Sequence, residues 1–450
     1  MLHGARVRCD YSPRFDPKRD LQGTRMDAFR RQFLSRSACV AAAALSGPTY
    51  AAMGATDKFD LLIRGGNVLD PSQPSSGRRD VGIRHGLVES VAADIPAARA
   101  VRVIDATGKL VVPGLIDLHA HTYPYGSAIG IPADELVPFQ GTTTIVSAGD
   151  AGANNLAGFR RHIVAQTRTR MFAFIHIANN GLSGFPVPEL YNLDQAQVDI
   201  AAQALAENFD IALGIKVRMS ENVIGKHGTE PLKRAIAACE RSGKPGKVMA
   251  HIGGVETAEM MSQILDLLRP GDILTHCYSG APNVSGKFTN IVQDGKLLPA
   301  ALAAKRRGVV FDIGHGGGSF DFNVAEAAIA QGAGPDTISS DIHAVSGNSP
   351  GMPYLTWVMS KFLALGFALE EVVKMATVNP ARVIDRVKGL GTLQAGAPGD
   401  VSVLDVVEGP VTFVDTRDNK RTGKLYLKPA HTVAAGVAFG RPYANPFTVR

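Results

Sequence analysis

Eight short apolar stretches recur along the middle of the chain, and segments of helical periodicity separate them. Continuously apolar strands are typical of a parallel sheet covered by helices, and eight strands close a (β/α)8 barrel. The pattern therefore predicts an α/β fold with a TIM-type barrel. An open doubly wound sheet is the alternative, although no G-x-G-x-x-G follows the first strand. The eight stretches are GLIDLHAH, GTTTIVSAG, RMFAFIHIA, DIALGIKVR, GKVMAHIG, GDILTHC, GVVFDIG and TISSDIHA.

The two flanks of this region differ from it in texture. FDLLIRGGNVLD and RRDVGIRHGLVESVA precede the barrel, whereas GTLQAGAPGDVSVLDV and GKLYLKPAHTVAAGVAFGRP follow it. All four alternate apolar with polar residues and contain glycine-rich turns, as half-buried strands do. We therefore expect residues 58–112 and 389–450 to form one small β-sandwich beside a barrel over residues 113–388.

The N-terminal segment resembles an export signal. Arg30 and Arg31 precede a short apolar run from Ala38 to Leu45 in FRRQFLSRSACVAAAALSGPTYAA. This arrangement resembles the bacterial twin-arginine signal, and the run is shorter than the ~20 residues of a membrane-spanning helix. We expect residues 1–57 to be a removable leader, the protein to be periplasmic and no stable membrane anchor to remain. A disordered basic tail is the alternative.

Charge and cysteine content exclude several classes of protein. The net charge is +6, but residues 1–57 contribute +4 of it (nine Lys/Arg against five Asp), which leaves +2 for the rest. No Lys/Arg run with interleaved aromatic residues occurs, so we expect a small-molecule substrate and no nucleic-acid partner; the sequence leaves the oligomeric state open. Of the four cysteines only Cys239 and Cys277 lie outside the leader, and they form no C-x-x-C. A disulfide framework, a G-x-S-x-G serine hydrolase and a P-loop are therefore not predicted.

Ligand-type side chains are found where the predicted strands end. His119 and His121 are two residues apart, so a strand would point both imidazoles to one side. Because active groups of such barrels lie at the carboxyl ends of the strands, we expect these side chains to converge. Imidazole nitrogens and carboxylates are standard zinc ligands, so the pattern predicts a metal site. The six candidates are His119, His121, Lys216, His251, His276 and Asp341.

Lys216 is unusual because its neighbours Ala212, Leu213, Ile215 and Val217 are apolar. A buried, unpaired ammonium group is costly, so this lysine is expected to lose its proton or to find a carboxylate. Carboxylation by carbon dioxide would convert it into a carbamate anion with two oxygens, able to bridge two metal ions. An ion pair with a barrel carboxylate is the alternative.

These residues resemble the amidohydrolase superfamily, in the subtype with a binuclear metal centre. VVPGLIDLHAH, RPGDILTHC, RRGVVFDIGHGGGSF, PDTISSDIH and MSKFLALG are similar to its amidohydrolase/deacetylase, dihydroorotase-like branch, over roughly residues 58–440. The resemblance implies two divalent ions, with zinc expected and manganese or cobalt left open. It further implies a bridging hydroxide as nucleophile and Asp341 as general base and then acid. The implied ligands are His119, His121 and Asp341 for the more buried ion, His251 and His276 for the more exposed ion, and carboxylated Lys216 as the bridge.

Four further side chains are candidates for substrate binding. Arg218 shares strand parity with the lysine, so it is expected either to pair with a substrate carboxylate or to neutralise a barrel acid. His315, in DIGHGGGSF, is expected to contact substrate, with packing of a turn as the alternative. Tyr278 and His343 each lie two residues beyond a predicted ligand. Tyr278 is a candidate hydrogen-bond donor to the substrate carbonyl, or else a packing aromatic residue. His343 lies in the site only if its strand continues past Asp341.

The resemblance implies hydrolysis of an amide or ester bond in a small acyl compound. Removal of an acyl group such as acetyl from an N-acyl amino acid or an O-acyl hydroxy acid is the predicted reaction. A cyclic-amide hydrolase of the dihydroorotase or hydantoinase kind is the first alternative, because the loops after the strands decide the substrate. A non-catalytic metal-binding barrel is the second.

Overall fold

A computed structural model describes residues 53–54, 56–74, 76–281 and 290–440. The twin-arginine segment lies outside the described residues, so export to the periplasm stays a prediction. Within the described part of the chain, none of the helices is both long and apolar enough to span a bilayer.

The first flank supplies five strands of one sheet. β1 is central, because it pairs antiparallel with β2 on one side and parallel with β4 and β5 on the other. The strands are β1 (Phe59–Val68), β2 (Gly77–Arg84), β3 (Leu87–Ala92), β4 (Ala100–Asp105) and β5 (Leu110–Pro113).

The middle of the chain forms a curled parallel sheet of seven strands in sequence order. Because all seven run parallel, their carboxyl ends meet at one end of the sheet. The strands are β6 (Leu115–Ala120), β7 (Thr142–Gly152), β8 (Arg170–His176), β9 (Ala212–Arg218), β10 (Lys247–His251), β11 (Ile273–Thr275) and, after the small hairpin of β12 (Val292–Gln293) and β13 (Lys296–Leu297), β14 (Val310–Asp312).

The eighth predicted stretch closes the barrel without forming a regular strand. Thr337 makes a parallel bridge to Asp312 of β14, and Ile342 makes one to Ala120 of β6. The first and last strands of the sheet are thereby joined through residues 337–342. The predicted fold class, a (β/α)8-type barrel with a separate sheet domain, is confirmed.

Helices connect the strands, and their apolar spacing explains which faces are buried. The predicted helix in AQVDIAAQALAENF buries Ala201, Ala202 and Leu205, which lie on one side. The helix in TAEMMSQILDLLR starts where the Thr257 side chain accepts a hydrogen bond from the Met260 amide. The helices are α1 (Ala133–Gln140), α2 (Leu156–His162), α3 (Val198–Glu207), α4 (Glu221–Ile224), α5 (Glu230–Arg241), α6 (Ala258–Leu267), α7 (Pro299–Arg307), α8 (Phe322–Ala330), α9 (Leu355–Ala364), α10 (Leu369–Met375) and α11 (Val378–Ile384).

The end of the chain returns to complete the first sheet. It contributes β15 (Val401–Val414), β16 (Lys420–Ala434) and β17 (Val437–Ala438). β15 pairs antiparallel with β5, with Val401 opposite Pro113, so both flanks belong to one eight-stranded sheet. The exact domain limits at 112/113 and 388/389 stay a prediction.

Candidate metal centre

The carboxylate of Asp341 contacts both histidines of the first barrel strand. Its Oδ1 lies 3.2 Å from His119 Nε2 and 3.1 Å from His121 Nε2. Lys216 reaches the same point from β9, with Nζ 3.2 Å from His119 Nε2. Three barrel segments therefore bring these four side chains together at the carboxyl end of the strands.

The remaining two predicted ligands lie next to this group. The ring centroids of His276 and His119 are 4.9 Å apart, and those of His251 and His276 are 4.2 Å apart. His119 and His276 are fully buried, whereas His251 is partly accessible to solvent. The structure thus brings all six predicted side chains into one cluster.

Outward hydrogen bonds set the orientation of His119. Its Nδ1 lies 2.7 Å from Thr275 Oγ1, and this hydroxyl donates to Asp312 Oδ2 at 2.8 Å. Because the hydroxyl proton is committed to Asp312, Thr275 Oγ1 accepts from His119 Nδ1–H. The lone pair of His119 therefore lies on Nε2, which faces the cluster.

The same logic applies to two further imidazoles. His121 Nδ1 donates to Asp150 Oδ1 at 3.0 Å, and His276 Nδ1 donates to the Gly314 carbonyl at 2.5 Å. His276 Nε2 is buried and has no hydrogen-bond partner among the described residues. A histidine that donates from one nitrogen and presents the other is arranged as metal ligands are.

The donor set fits a divalent cation. Ligand atoms of His119, His276 and Asp341 all lie within 4.8 Å of one another. Imidazole nitrogens with a carboxylate oxygen match the preferences of zinc and its neighbours. An unpartnered buried Nε2 is costly in an apolar environment unless a ligand occupies it, so the arrangement favours a bound ion.

Lys216 does not find the carboxylate partner that the sequence left open. Its side chain is buried, with Met249 Sδ at 3.5 Å as the other close polar atom. Among the described residues, no carboxylate oxygen lies within 4.0 Å of its Nζ. Burial lowers the pKa of Lys216 to about 7. The alternative that the sequence left open, an ion pair between Lys216 and a barrel acid, is therefore not formed in this structure.

Two of the clustered residues have left-handed backbones. His276 has φ = 63° just after β11 ends at Thr275, and Asp341 has φ = 47° in the bridged segment of residues 337–342. Such a conformation costs about 1–3 kcal/mol for a residue other than glycine and is concentrated at functional sites. Its effect here is to turn both side chains into the cluster.

The cluster opens into a cavity of about 390 Å3. Its wall combines glycine and serine residues with an apolar side formed by Ile129, Leu182, Phe185 and Val345. This volume lies within the range of pockets for small molecules. The cavity is lined by His121, Ile129, Leu182, Phe185, Lys216, Arg218, His251, Gly317, Gly318, Ser319, Asp341, His343, Val345, Ser346 and Ser349.

Two of the four predicted substrate contacts line this cavity. Arg218 does so while its NH1 lies 3.2 Å from both carboxylate oxygens of Glu189. Burial by itself raises the pKa of Glu189, but His176 and Arg218 outweigh it and lower this pKa to about 2. His343 accepts a hydrogen bond on Nδ1 from the Ser346 amide at 3.2 Å, so its neutral form carries the proton on Nε2.

The other two predicted substrate contacts, Tyr278 and His315, do not line this cavity. Tyr278 is fully buried and donates its hydroxyl proton to the Ala333 carbonyl at 2.7 Å, because the left-handed turn at His276 ends the strand parity. His315 is also buried, with Nδ1 2.9 Å from the Gly316 carbonyl and Nε2 2.7 Å from Lys361 Nζ. Both ring nitrogens of His315 are thus occupied within the protein.

Sequence reasoning missed the acids and hydroxyls that support the cluster. Asp150 contacts His121, Asp312 holds Thr275, and Glu189 holds Arg218. Asp150 lies near the carboxyl end of β7, and Asp312 is the last residue of β14. Their position at the carboxyl ends of predicted barrel strands was a signal by which Asp150 and Asp312 could have been identified. Glu189 lies in a loop and offered no such signal.

Comparisons with known proteins agree with this geometry. A model described as the amidohydrolase family matches residues 319–438. A deacetylase of Agrobacterium fabrum is 35% identical over 354 residues, or 78% of this chain and 84% of that protein. A deacetylase of Brucella anthropi is 33% identical over 357 residues, or 79% and 86% respectively.

Solved structures give the same grouping. One described as an adenine deaminase matches with a TM-score of 0.75 and 30% identity, over 85% of this chain and 100% of that chain. One described as a dihydroorotase matches with a TM-score of 0.75 and 32% identity, over 84% and 97%. Because this similarity extends over most of this chain and of each relative, the chain belongs to the amidohydrolase family and is a hydrolase.

Proposed function

We propose that this hydrolase is a metal-dependent deacylase, which removes an acyl group such as acetyl from the nitrogen or oxygen of a small carboxylic acid. The observation that carries the proposal is the shared orientation of the imidazoles. Three histidines donate from Nδ1 to fixed acceptors and bring Nε2 close to one carboxylate, which lines the same cavity as Arg218. The deacetylase relatives support the same reaction.

The six clustered side chains would hold two divalent ions. His119, His121 and Asp341 are proposed for one and His251 and His276 for the other, with carboxylated Lys216 between them. When bound, such ions activate water and polarise a carbonyl group, which is the chemistry an acyl transfer to water needs. The buried Lys216 amine, free of any carboxylate, supports its carboxylation by carbon dioxide.

Asp341 is proposed to move the proton. Its carboxylate lines the cavity, within 3.2 Å of two imidazoles. Burial by itself raises its pKa, but His119 and His121 outweigh burial and hold the pKa well below the usual carboxyl value. An ionised carboxylate can accept a proton from the attacking water and return it to the leaving nitrogen or oxygen.

Two residues of the wall are proposed to bind substrate. Arg218 uses NH1 for Glu189, which leaves other guanidinium N–H groups for a substrate carboxylate. His343 presents Nε2–H, which suits the acyl carbonyl oxygen. The apolar side of Leu182 and Phe185 would receive the side chain of the acid.

Cyclic-amide hydrolysis is the second candidate, and the 32% identity to a structure described as a dihydroorotase favours it. The two reactions differ in the substrate and not in the groups that act on it. The acyl acids are open chains, whereas dihydroorotate and hydantoin are rings. Only the cavity wall can sense that difference, so turnover must decide.

A substrate panel with metal removal tests the proposal. We would assay the purified full chain on N-acetyl amino acids of both chiralities, O-acetyl hydroxy acids, dihydroorotate, hydantoin and adenine, before chelation, after chelation and after return of zinc. Turnover of the acyl acids that is lost with the metal and restored with it is expected. Turnover of cyclic amides or adenine alone, turnover that survives chelation, or none at all would each overturn it.

The role of Arg218 is tested against its partner. Removing Arg218 alone would leave Glu189 buried without its counter-ion, so the informative variant is Arg218→Gln with Glu189→Gln. We expect this variant to lose its preference for N-acetyl amino acids over the corresponding N-acetyl amino acid amides. A preference equal to that of the wild type would refute carboxylate binding by Arg218.

Export is a further part of the proposal. Replacing Arg30 and Arg31 with lysine should retain the protein in the cytoplasm of a bacterial host, measured by fractionation. Unchanged export would exclude the twin-arginine route.

A further inference from the structure

Lys361 is a fully buried lysine outside the proposed metal centre. It lies in α9, within the MSKFLALG stretch that the family resemblance included. Its Nζ contacts His315 Nε2 at 2.7 Å, the Gly351 carbonyl at 2.6 Å and the Val414 carbonyl at 2.8 Å. The deacylation scheme leaves this residue without a role.

The three contacts use the full capacity of an ammonium group. His315 Nδ1 donates to the Gly316 carbonyl, so its Nε2 can only accept in the neutral form. Both other partners are carbonyl oxygens, so Lys361 donates all three protons. Burial lowers the pKa of Lys361 to about 7, and the three acceptors favour its protonated form.

The partners of Lys361 belong to three separate segments. His315 lies in the glycine loop (residues 314–319), whose Gly317, Gly318 and Ser319 line the cavity. Gly351 lies in the serine loop (residues 345–352), which lines the cavity with Val345, Ser346 and Ser349. Val414 is the last residue of β15, in the eight-stranded sheet built from both flanks. One side chain therefore ties two walls of the cavity to the sheet domain.

Aromatic packing reinforces the contact in the glycine loop. The His315 ring stacks on Phe320 with centroids 4.8 Å apart and an interplanar angle of 23°. The Lys361 ammonium lies 5.8 Å from the centroid of the Phe320 ring. His315 is thereby held at its Nε2 by the lysine and on its ring face by Phe320, the residue that follows the loop.

We infer that Lys361 is a positioning residue, which sets the glycine and serine loops at the distance from Asp341 that substrate binding requires. The inference rests on the proposed function, because it assumes that this cavity receives the substrate. No covalent step is involved. An apolar side chain of similar length would fill the space but would leave His315 Nε2 and two carbonyls unpaired.

Lys361→Met, with Ser360→Ala as its control, tests the inference. Ser360 is the adjacent residue of α9, is equally buried, and joins the helix to β16 by accepting from the Leu427 amide at 2.9 Å. Among the described residues its side-chain hydrogen bonds go to Thr356 and Leu427 and to neither loop. Both variants remove buried polar contacts of α9, so a general loss of stability should appear in both.

The readouts are hydrogen exchange, metal content and kinetics of the acyl substrate. In Lys361→Met we expect faster amide exchange in residues 314–319 and 345–352, an unchanged number of metal ions per chain, and a rise in KM larger than the fall in kcat. The loss in kcat/KM should be on the order of 10- to 100-fold, since small misplacements of binding groups have such effects. Ser360→Ala should show none of these loop-specific changes.

Equal exchange of the two loops in Lys361→Met and wild type, or the same increase in Ser360→Ala, would overturn the inference. Loss of metal or a fall in kcat alone would also overturn it, since Lys361 would then act on the cluster itself. Failure of the wild-type protein to cleave acyl substrates would refute the proposed function, while the exchange comparison would still report on Lys361.

Discussion

Thr275 carries a sharp prediction because its hydroxyl makes two hydrogen bonds with different consequences. It accepts from His119 Nδ1 at 2.7 Å and donates to Asp312 Oδ2 at 2.8 Å. Thr275→Val keeps the branched shape and removes both hydrogen bonds. We expect it to weaken metal binding as well as folding.

The two magnitudes follow from the chemistry of these two hydrogen bonds. A hydrogen bond to a charged group contributes about 1.5–3 kcal/mol, so the free energy of unfolding of the metal-free protein should fall by that amount. The partner that orients a metal-binding histidine typically changes metal affinity by about 10- to 100-fold. A urea titration measures the first quantity, and competition with a chelator of known affinity measures the second.

Thr337→Val is the matched control. Thr337 also donates its hydroxyl to the same carboxylate, at 2.6 Å from Asp312 Oδ1, and among the described residues it has no hydrogen bond to His119. It should lose similar stability and keep the affinity of the wild type for metal. If both variants lose affinity equally, or if Thr275→Val binds metal normally, the orientation of His119 by Thr275 is refuted.

Further predictions concern the metals and the backbone around them. Chelation should lower the melting temperature, and zinc should restore it, since ion at 100 times Kd contributes about 2.7 kcal/mol; an unchanged melting curve would contradict a bound ion. Lys216→Ala should reduce the metal content below two ions per chain by elemental analysis, and retention of both ions with activity would exclude a bridging role. Gly316→Ala should lower kcat on the order of 100-fold while the fold persists, because φ is 54° and a Cβ would collide with Asp341 Oδ2. Gly334→Ala, where nothing lies within 4 Å, is its control, and equal rates for the two variants would refute the crowding of Asp341.

The barrel could be predicted because each strand carries its own apolar signal. The predicted stretch RMFAFIHIA contains β8, and DIALGIKVR contains β9, with ends that differ by two residues at most. The eighth stretch was identified equally well, yet it makes only single bridges at Thr337 and Ile342. The left-handed backbone at Asp341 interrupts it, and no local sequence pattern encodes that turn.

The ligand cluster could be predicted for the same reason, whereas its surroundings could not. Strand parity places Arg218 in the cavity beside Lys216 because β9 continues through both. The same argument fails for Tyr278, since β11 has already ended at Thr275. Supporting hydrogen bonds such as that of Thr275 with Asp312 join residues 37 positions apart, and sequence spacing holds no information on such pairs.

The shared sheet has a consequence for biosynthesis. Lys109, in the turn before β5, is paired with Asp405 across 296 positions. At about 5–20 residues per second, the ribosome needs roughly 15 to 60 seconds between the two. During that interval β5 has an open edge, with Val111 and Val112 of its apolar core awaiting β15. Until its final strands emerge and cover this edge, the nascent chain exposes an unpaired apolar strand, which is a site where another chain can pair with it.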